Sequence, residues 1–550
     1  MASLRSERQA DLCILGGGIA GMLLGERALA RGRRVLLIER GTAMPFAERR
    51  KQGSHDDPLP FNRSPQKFRH EPPPSGPRTR WDDQYVFWPV YNLGGCTNIF
   101  FGNVPRMHPS HFARDAFGGA DRHWPMSYAD LEPYYLEAEN RLGVSGNSER
   151  PPFHGHFDYP LPPHRLSPSD RACEAIFGKG SVTQVPTVRP SREIGGRPQC
   201  CATNECHLCP IDSKGTALNT VYPAIQDRIE LQTGWLAVEL HCAAGRVTGV
   251  TCVDAQGGRH RIHARQFVMA CNGIDTCLLL QRSPDVPKLP SLGRYYMDHP
   301  VFELAIYGSG LDTRPGYADS AQTGMLVSFF DRIAPDLPVS MLGEIKPSAL
   351  SLNRGEMTRD VVVRDLLRIA IERRADEGGS VRQHFAREWG STLVIWFAVE
   401  TQPLAAHTVT VERITESGQA IPRIVHRYPS YFGDCIERTV ATVRQRLPRA
   451  EVKHLSTFSG SYHWLGATRM GTTEHGCVDA NLRYHELENL YVASTSTFPG
   501  GSSANPTLTL AALTLRLGDH LTSTAPAARR VPFDTNSGLA YAEALPARSL

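Results

Sequence analysis

Residues 11–39, DLCILGGGIAGMLLGERALARGRRVLLIE, decide the fold. An apolar run, Asp11 to Gly16, leads into Gly16-Gly17-Gly18-Ile19-Ala20-Gly21, which satisfies G-x-G-x-x-G at glycines 16, 18 and 21. Helical spacing follows over Ala20 to Arg31, with Leu23, Leu24, Ala28 and Leu29 on one side; Gly32 breaks it, and Val35-Leu36-Leu37-Ile38 reads as a second buried strand ending in Glu39. Each position has a physical task. Gly16 allows the tight turn, Gly18 lets a pyrophosphate reach the backbone, and Gly21 lets the helix lie close on the strand. The helix N-terminus favours phosphate charge. Glu39 is placed to accept hydrogen bonds from a ribose diol, so an adenosine dinucleotide, FAD or NAD, is expected here.

Outward from this unit, residues 42–80 have no sustained period and read as a long loop or lid. Aromatic residues resume at Tyr85 to Leu93 and run into Gly94-Gly95-Cys96-Thr97-Asn98. Ser127 to Leu142 has helical spacing, and 230–270 alternates with period two in three short runs that end at Phe267-Val268-Met269-Ala270. Residues 300–455 read as strand-rich, with helices at Asp360–Arg374 and Tyr431–Leu447 and a buried strand at Leu393–Val399. Phe329, Phe330, Trp396 and Phe397 read as core packing, and Glu400 as a solvated strand end.

The chain's chemistry is concentrated in 461–521. His463 lies just before a turn containing Gly466, and Asn505-Pro506-Thr507 opens an apolar helix whose first N–H groups are free for an electron-rich partner. An imidazole and a carboxamide brought together by two glycine-rich turns suit deprotonation of an alcohol: the first takes the hydroxyl proton, the second orients the oxygen.

These blocks, together with Gly293-Arg294-Tyr295-Tyr296-Met297-Asp298-His299-Pro300, make the chain resemble the glucose-methanol-choline (GMC) family of flavin oxidoreductases over nearly its whole length. The resemblance implies an α/β fold, with a Rossmann-like FAD-binding domain and an inserted α+β substrate domain built on an antiparallel sheet. The expected segments are 1–95, 196–300 and 459–523 for the FAD domain, the second carrying a cysteine loop and the third the catalytic residues. The lid and substrate segments are 96–195 and 301–458, and 524–550 is a tail. It also places His463 at the family's catalytic base and Asn505 at its partner. Gly94, Gly95, Thr97, Asn98, Val238, Pro506 and Thr507 join Gly16, Gly18, Gly21 and Glu39 as flavin-binding positions. Asn98 and Ile99 stand where some members carry a flavin-linking His, so the implied FAD is non-covalent. The implied reaction oxidises a hydroxyl of a sugar, glycoside or polyol, with oxygen or another electron acceptor reoxidising the flavin. A non-sugar alcohol and a lyase using flavin as scaffold stay open as alternatives.

Cys200, Cys201, Cys206 and Cys209 fall within ten residues, at C-x5-C-x2-C-P spacing counted from Cys200. Thiolates so spaced can converge on an iron–sulfur cluster, or with His207 on zinc, or remain free thiols near the flavin. Some sugar dehydrogenases that the chain resembles carry a three-iron cluster in this segment. Cys13, Cys252 and Cys271 read as small buried hydrophobes.

Composition narrows the remaining classes. Sixty Lys plus Arg against 56 Asp plus Glu leave a net charge of +4, without the basic excess of a nucleic-acid binder. No apolar stretch reaches the roughly 18 residues of a membrane span. The N-terminal apolar run ends in glycines, unlike a signal peptide, so a cytoplasmic location is expected. The oligomeric state is not encoded in any pattern of the sequence.

Overall fold

The computed structural model describes residues 4–43, 46, 66–68, 85–87, 90–113, 124–202, 206, 209–314, 323–337, 339–346, 356–458 and 461–523. The expected lid at 42–80 and the tail at 524–550 lie almost wholly outside them.

Strand β1 (Leu4–Leu15), helix α1 (Ile19–Ala30) and strand β2 (Val35–Glu39) form the βαβ unit expected from residues 11–39. β1 pairs in parallel with β2 (Leu12 opposite Val35 through Leu15 opposite Ile38), and β2 with Glu230–Thr233. On the other side of β1 runs the long strand Arg259–Met269, also parallel. The second half of that strand takes Leu490–Val492 in parallel, while its first half takes the antiparallel hairpin Leu236–Ala243 and Arg246–Val253. Five parallel strands thus come from three separate stretches of the chain, 4–39, 230–269 and 490–492. All five residues of β2 are buried, as expected of a parallel strand covered on both faces. α1 lies on this sheet beside the apolar helix Thr507–Ser523, which also packs on the helix Tyr128–Leu142.

A second sheet is antiparallel throughout, in the order Glu451–Phe458, Val301–Tyr307, Leu393–Val399, Met341–Lys346, Gly324–Leu326, Val182–Gln184. One face carries Phe302, Leu304, Ile306, Ile395, Phe397 and Met341 into a separate apolar core with Phe432, Cys435 and Ile436 of the helix Phe432–Arg446. The other face is apolar at one end, where Ala305, Tyr307, Val394 and Leu455 meet Val362, Leu366 and Ile369 of the helix Glu356–Glu377, and polar at the other. Glu303, Trp396 and Glu344 stand in one cross-strand row, and Lys346 Nζ sits 4.4 Å from the Trp396 ring. The fold class is therefore the α/β plus antiparallel-sheet architecture that the sequence implied.

The sequence reading of Glu400 is corrected. It is buried, its Oε2 accepting from Ser340 N at 2.8 Å with His111 Nε2 3.9 Å away, because the strand ends under neighbouring loops and not in solvent. Ser127 caps the helix Tyr128–Leu142, with Asp130 completing a reciprocal capping box. Within that helix, Glu139 takes a buried bidentate ion pair from Arg106 (Nε–Oε1 2.7 Å, Nη2–Oε2 2.6 Å), and Arg106 Nη1 donates to Tyr128 Oη and the His156 carbonyl, both at 2.8 Å. Replacing Glu139 by Ala leaves a guanidinium buried without its counter-charge. The expected loss is about 3–5 kcal/mol, read as a lower denaturation midpoint at unchanged slope; a change under 1 kcal/mol would show that water replaces the carboxylate.

Candidate active site

The first turn of α1 and the first turn of Thr507–Ser523 open into one elongated cavity. Gly16, Gly18, Ile19 and Ala20 line one part of it, Pro506, Thr507 and Leu510 another, and Tyr462, His463 and Trp464 a third. It runs past all three groups of residues and is partly open to solvent, a form that suits a long ligand.

The glycines separate by what surrounds them. A Cβ on Gly16 (φ +117°) would come within 2.5 Å of the Ala270 carbonyl oxygen, and one on Gly21 within 2.0 Å of the Gly16 carbonyl oxygen. Both serve the contact of strand and helix. A Cβ on Gly18 would meet no protein atom within 4 Å. Its smallness has no internal use, so the open side belongs to whatever occupies the cavity. Gly18 also caps α1 without any side-chain hydrogen bond, leaving that helix end to a ligand anion.

Glu39 ends β2 in the cavity wall. Its Oε2 accepts from Gly17 N at 2.9 Å and its Oε1 from Gly41 N at 2.8 Å. Burial pushes its carboxyl up, and these two N–H groups oppose the shift. Gly95 and Thr97 line the wall as well. Gly94 and Asn98 stand just behind it: Asn98 Nδ2 donates to the Leu93 carbonyl at 3.0 Å, while its Oδ1 is buried without a partner. Two sequence assignments move. Val238 is buried and is not among the wall residues, which here are its neighbours Trp235, Leu236 and Ala237. Cys271, read as a core residue, is in the wall, its Sγ donating to the Leu15 carbonyl at 3.2 Å.

The turn that presents His463 is held from beneath. Asp298, fully buried, accepts backbone N–H groups from His299 (2.8 Å), Ser461 (2.9 Å), Tyr462 (3.2 Å) and His463 (3.1 Å). Burial pushes its carboxyl up to about 7, against those four donors. With Tyr462 at φ +63° and Trp464 at +42°, the backbone takes a shape that needs such an anchor. His463 Nδ1 lies 2.8 Å from Nδ1 of His299. Burial, and next the neighbouring His299, hold the His463 imidazole well below its usual range, so it is uncharged at neutral pH. Asn505, one residue before the wall residue Pro506, is half-buried, with its Oδ1 unpartnered.

Asp298 and His299 are the site residues that sequence reasoning left without a role. The only signal was an acid beside a His in Met297-Asp298-His299-Pro300, and the partner turn lies more than 160 residues away.

The cysteine loop does not form a metal site among the described residues, where no group of three or more His, Cys, Asp or Glu side chains is placed to hold an ion. Cys206 Sγ accepts from the Arg189 guanidinium at 3.6 Å, and Cys209 Sγ from Lys214 N at 3.5 Å. Burial pushes the Cys200 thiol up to about 11. Cys201 is half-buried beside it, and His207 lies outside the described residues. No helix among the described residues is long and apolar enough to cross a membrane.

The open Gly18, the uncapped helix end, the buried acid on β2 and the unpartnered amide oxygens fit a flavin dinucleotide laid along this cavity. Comparison with known proteins agrees. Residues 402–514 match the GMC oxidoreductase model and residues 185–296 an FAD binding domain. The chain is 28% identical to the fructose dehydrogenase large subunit of Gluconobacter japonicus, over 93% of this chain and 97% of that one. It is 28% identical to 6'''-hydroxyparomomycin C oxidase of Streptomyces lividus (93% and 91%) and 26% identical to paromamine 6'-oxidase of Streptomyces fradiae (93% and 91%). The crystal structure of pyridoxine 4-oxidase from Mesorbium loti shares the fold, with a TM-score of 0.63 at 19% identity over 94% of this chain and 100% of that one. In fold, cavity and these matches the chain is similar to the FAD-dependent oxidoreductases of the GMC family.

Proposed function

We propose that the protein oxidises a hydroxyl of a sugar, glycoside or polyol to a carbonyl, with His463 as the base. One observation carries the reading: an uncharged, half-buried imidazole stands in the wall of the cavity that both helix N-termini enter. With Nδ1 engaged on His299, Nε2 is the nitrogen left to take the hydroxyl proton. Asn505, next to the wall residue Pro506, is the group to orient the same oxygen as it gains charge, by donating from its amide Nδ2. When bound, FAD supplies the two-electron acceptor for the hydride leaving the carbinol carbon. The substrate class is supported by relatives named for fructose, paromamine and hydroxyparomomycin C.

Anaerobic mixing with a panel of hexoses, amino-sugar glycosides and polyols, beside aryl and branched aliphatic alcohols, tests this reading. Bleaching of the flavin by members of the first group is expected. Bleaching by the second group alone would move the substrate class, and no bleaching by any alcohol would overturn the redox role. For Cys200, Cys201, Cys206 and Cys209, spacing alone supports an iron–sulfur relay. Iron in fixed ratio to flavin in freshly purified protein would uphold it, and iron-free protein of full activity would remove it.

A further inference from the structure

The two imidazoles at His463 and His299 meet Nδ1 to Nδ1 at 2.8 Å, with ring planes at 78°. Such a contact holds one proton: one nitrogen donates and the other must offer its lone pair. The direction matters for catalysis, because only a His463 that carries its proton on Nδ1 has a free lone pair on Nε2 for an alcohol. His299 settles the choice through its other edge. Its Nε2 is buried and makes no hydrogen bond of ordinary geometry, and the backbone carbonyl of Ser502 is the neighbouring group that favours a proton on this ring. Ser502 belongs to the glycine-rich turn that leads to Asn505, so one ring touches both turns of the site. Asp298 is the carboxyl next to His299 in the chain, and its oxygens are taken by backbone N–H groups of the His463 turn.

We propose that His299 is a positioning residue that fixes the tautomer of His463. It keeps its own proton on Nε2, toward the Ser502 carbonyl, and accepts with Nδ1 from Nδ1–H of His463, which leaves Nε2 of His463 as the base. The hydroxyl proton then moves to that Nε2, and the resulting imidazolium still donates to His299. Sequence spacing could not show this, since His299 and His463 are 164 residues apart. The inference rests on the reading of His463 as base and adds how that base is prepared.

Two variants and one direct measurement test it, all on the flavin-loaded protein. In His299→Asn the amide oxygen can stand where Nδ1 stood and accept the same proton; in His299→Leu nothing can. The Leu variant is expected to reduce its flavin at least about tenfold more slowly, within the range of a general-base contribution. Its half-saturating alcohol concentration should change little, and a solvent deuterium effect on reduction should grow as proton removal becomes limiting. The Asn variant should recover most of the rate and the wild-type isotope effect. Equal rates in the two variants, or a Leu variant as fast as wild type, would overturn the proposal. Independently of any turnover, nitrogen NMR of histidine-labelled wild-type holoenzyme, with the signal assigned by its loss in His463→Ala, reads the tautomer. A protonated Nδ1 on His463 is expected, and a protonated Nε2 would overturn the proposal even where a variant fails to hold flavin. A His463→Ala protein that reduces flavin at the wild-type rate would remove the base itself. A slow His463→Ala beside indifferent His299 variants would remove only this inference.

Discussion

His463→Ala is expected to lower the rate of anaerobic flavin reduction by about 10²–10⁴, while flavin content and its visible spectrum stay as in the wild type. The size is that of a general base: in the proposed role the side chain takes a proton whose removal otherwise falls to water. The selectivity follows from what holds the turn. Asp298 grips Ser461, Tyr462 and His463 by backbone N–H groups, none of which the substitution touches. The side-chain hydrogen bond lost is the one to His299, itself a neutral ring. Flavin affinity should therefore survive. A variant that loses both flavin and rate would assign His463 to cofactor binding, and a variant that keeps its rate would exclude it as the base.

The second large effect distinguishes two glycines three residues apart. Gly21→Ala places a methyl 2.0 Å from the Gly16 carbonyl oxygen, a backbone atom that cannot swing aside, with the Ile14 side chain 3.3 Å away. Strand and helix must separate, at about 1–3 kcal/mol or more for overpacking of this kind, and the cofactor site deforms with them. Gly18→Ala adds the same methyl where no protein atom lies within 4 Å. The flavin-free protein should keep wild-type stability, yet bind flavin far more weakly, because the methyl stands where the pyrophosphate approaches the helix end. Thermal denaturation with and without added FAD checks both. For Gly18→Ala the stabilisation by ligand should vanish while the ligand-free midpoint holds. A Gly18→Ala protein that binds FAD normally would place the pyrophosphate elsewhere.

What was legible beforehand depended on how local the signal was. The unit from β1 to Glu39 fits within 30 residues, so its order of strand, turn, helix and acid could be read directly. The helix at 127–142 carried its own capping residue and stripe. The hairpin strands at 236–253 alternated visibly. His463 and Asn505 were singled out through the blocks around them, and His463 stands in the cavity wall. The roles of Asp298 and His299, the burial of Glu400 and the place of Cys271 in the cavity wall escaped, because each is set by a partner distant in sequence. The cysteine spacing was a true pattern that geometry did not complete among the described residues, since Arg189 and the Lys214 amide meet the sulfurs that a metal would need.

The parallel sheet has a bearing on how the chain is made. Its strand Arg259–Met269 ends in Phe267-Val268-Met269, an apolar edge covered only when Leu490–Val492 arrives. At about 5–20 residues per second of ribosomal synthesis, the nascent polypeptide carries that open edge for tens of seconds. Such an edge invites pairing with another chain. Holding by a chaperone over this interval, or slowed overproduction at low temperature, should raise the yield of monodisperse protein, and the gain should come from fewer β-rich aggregates.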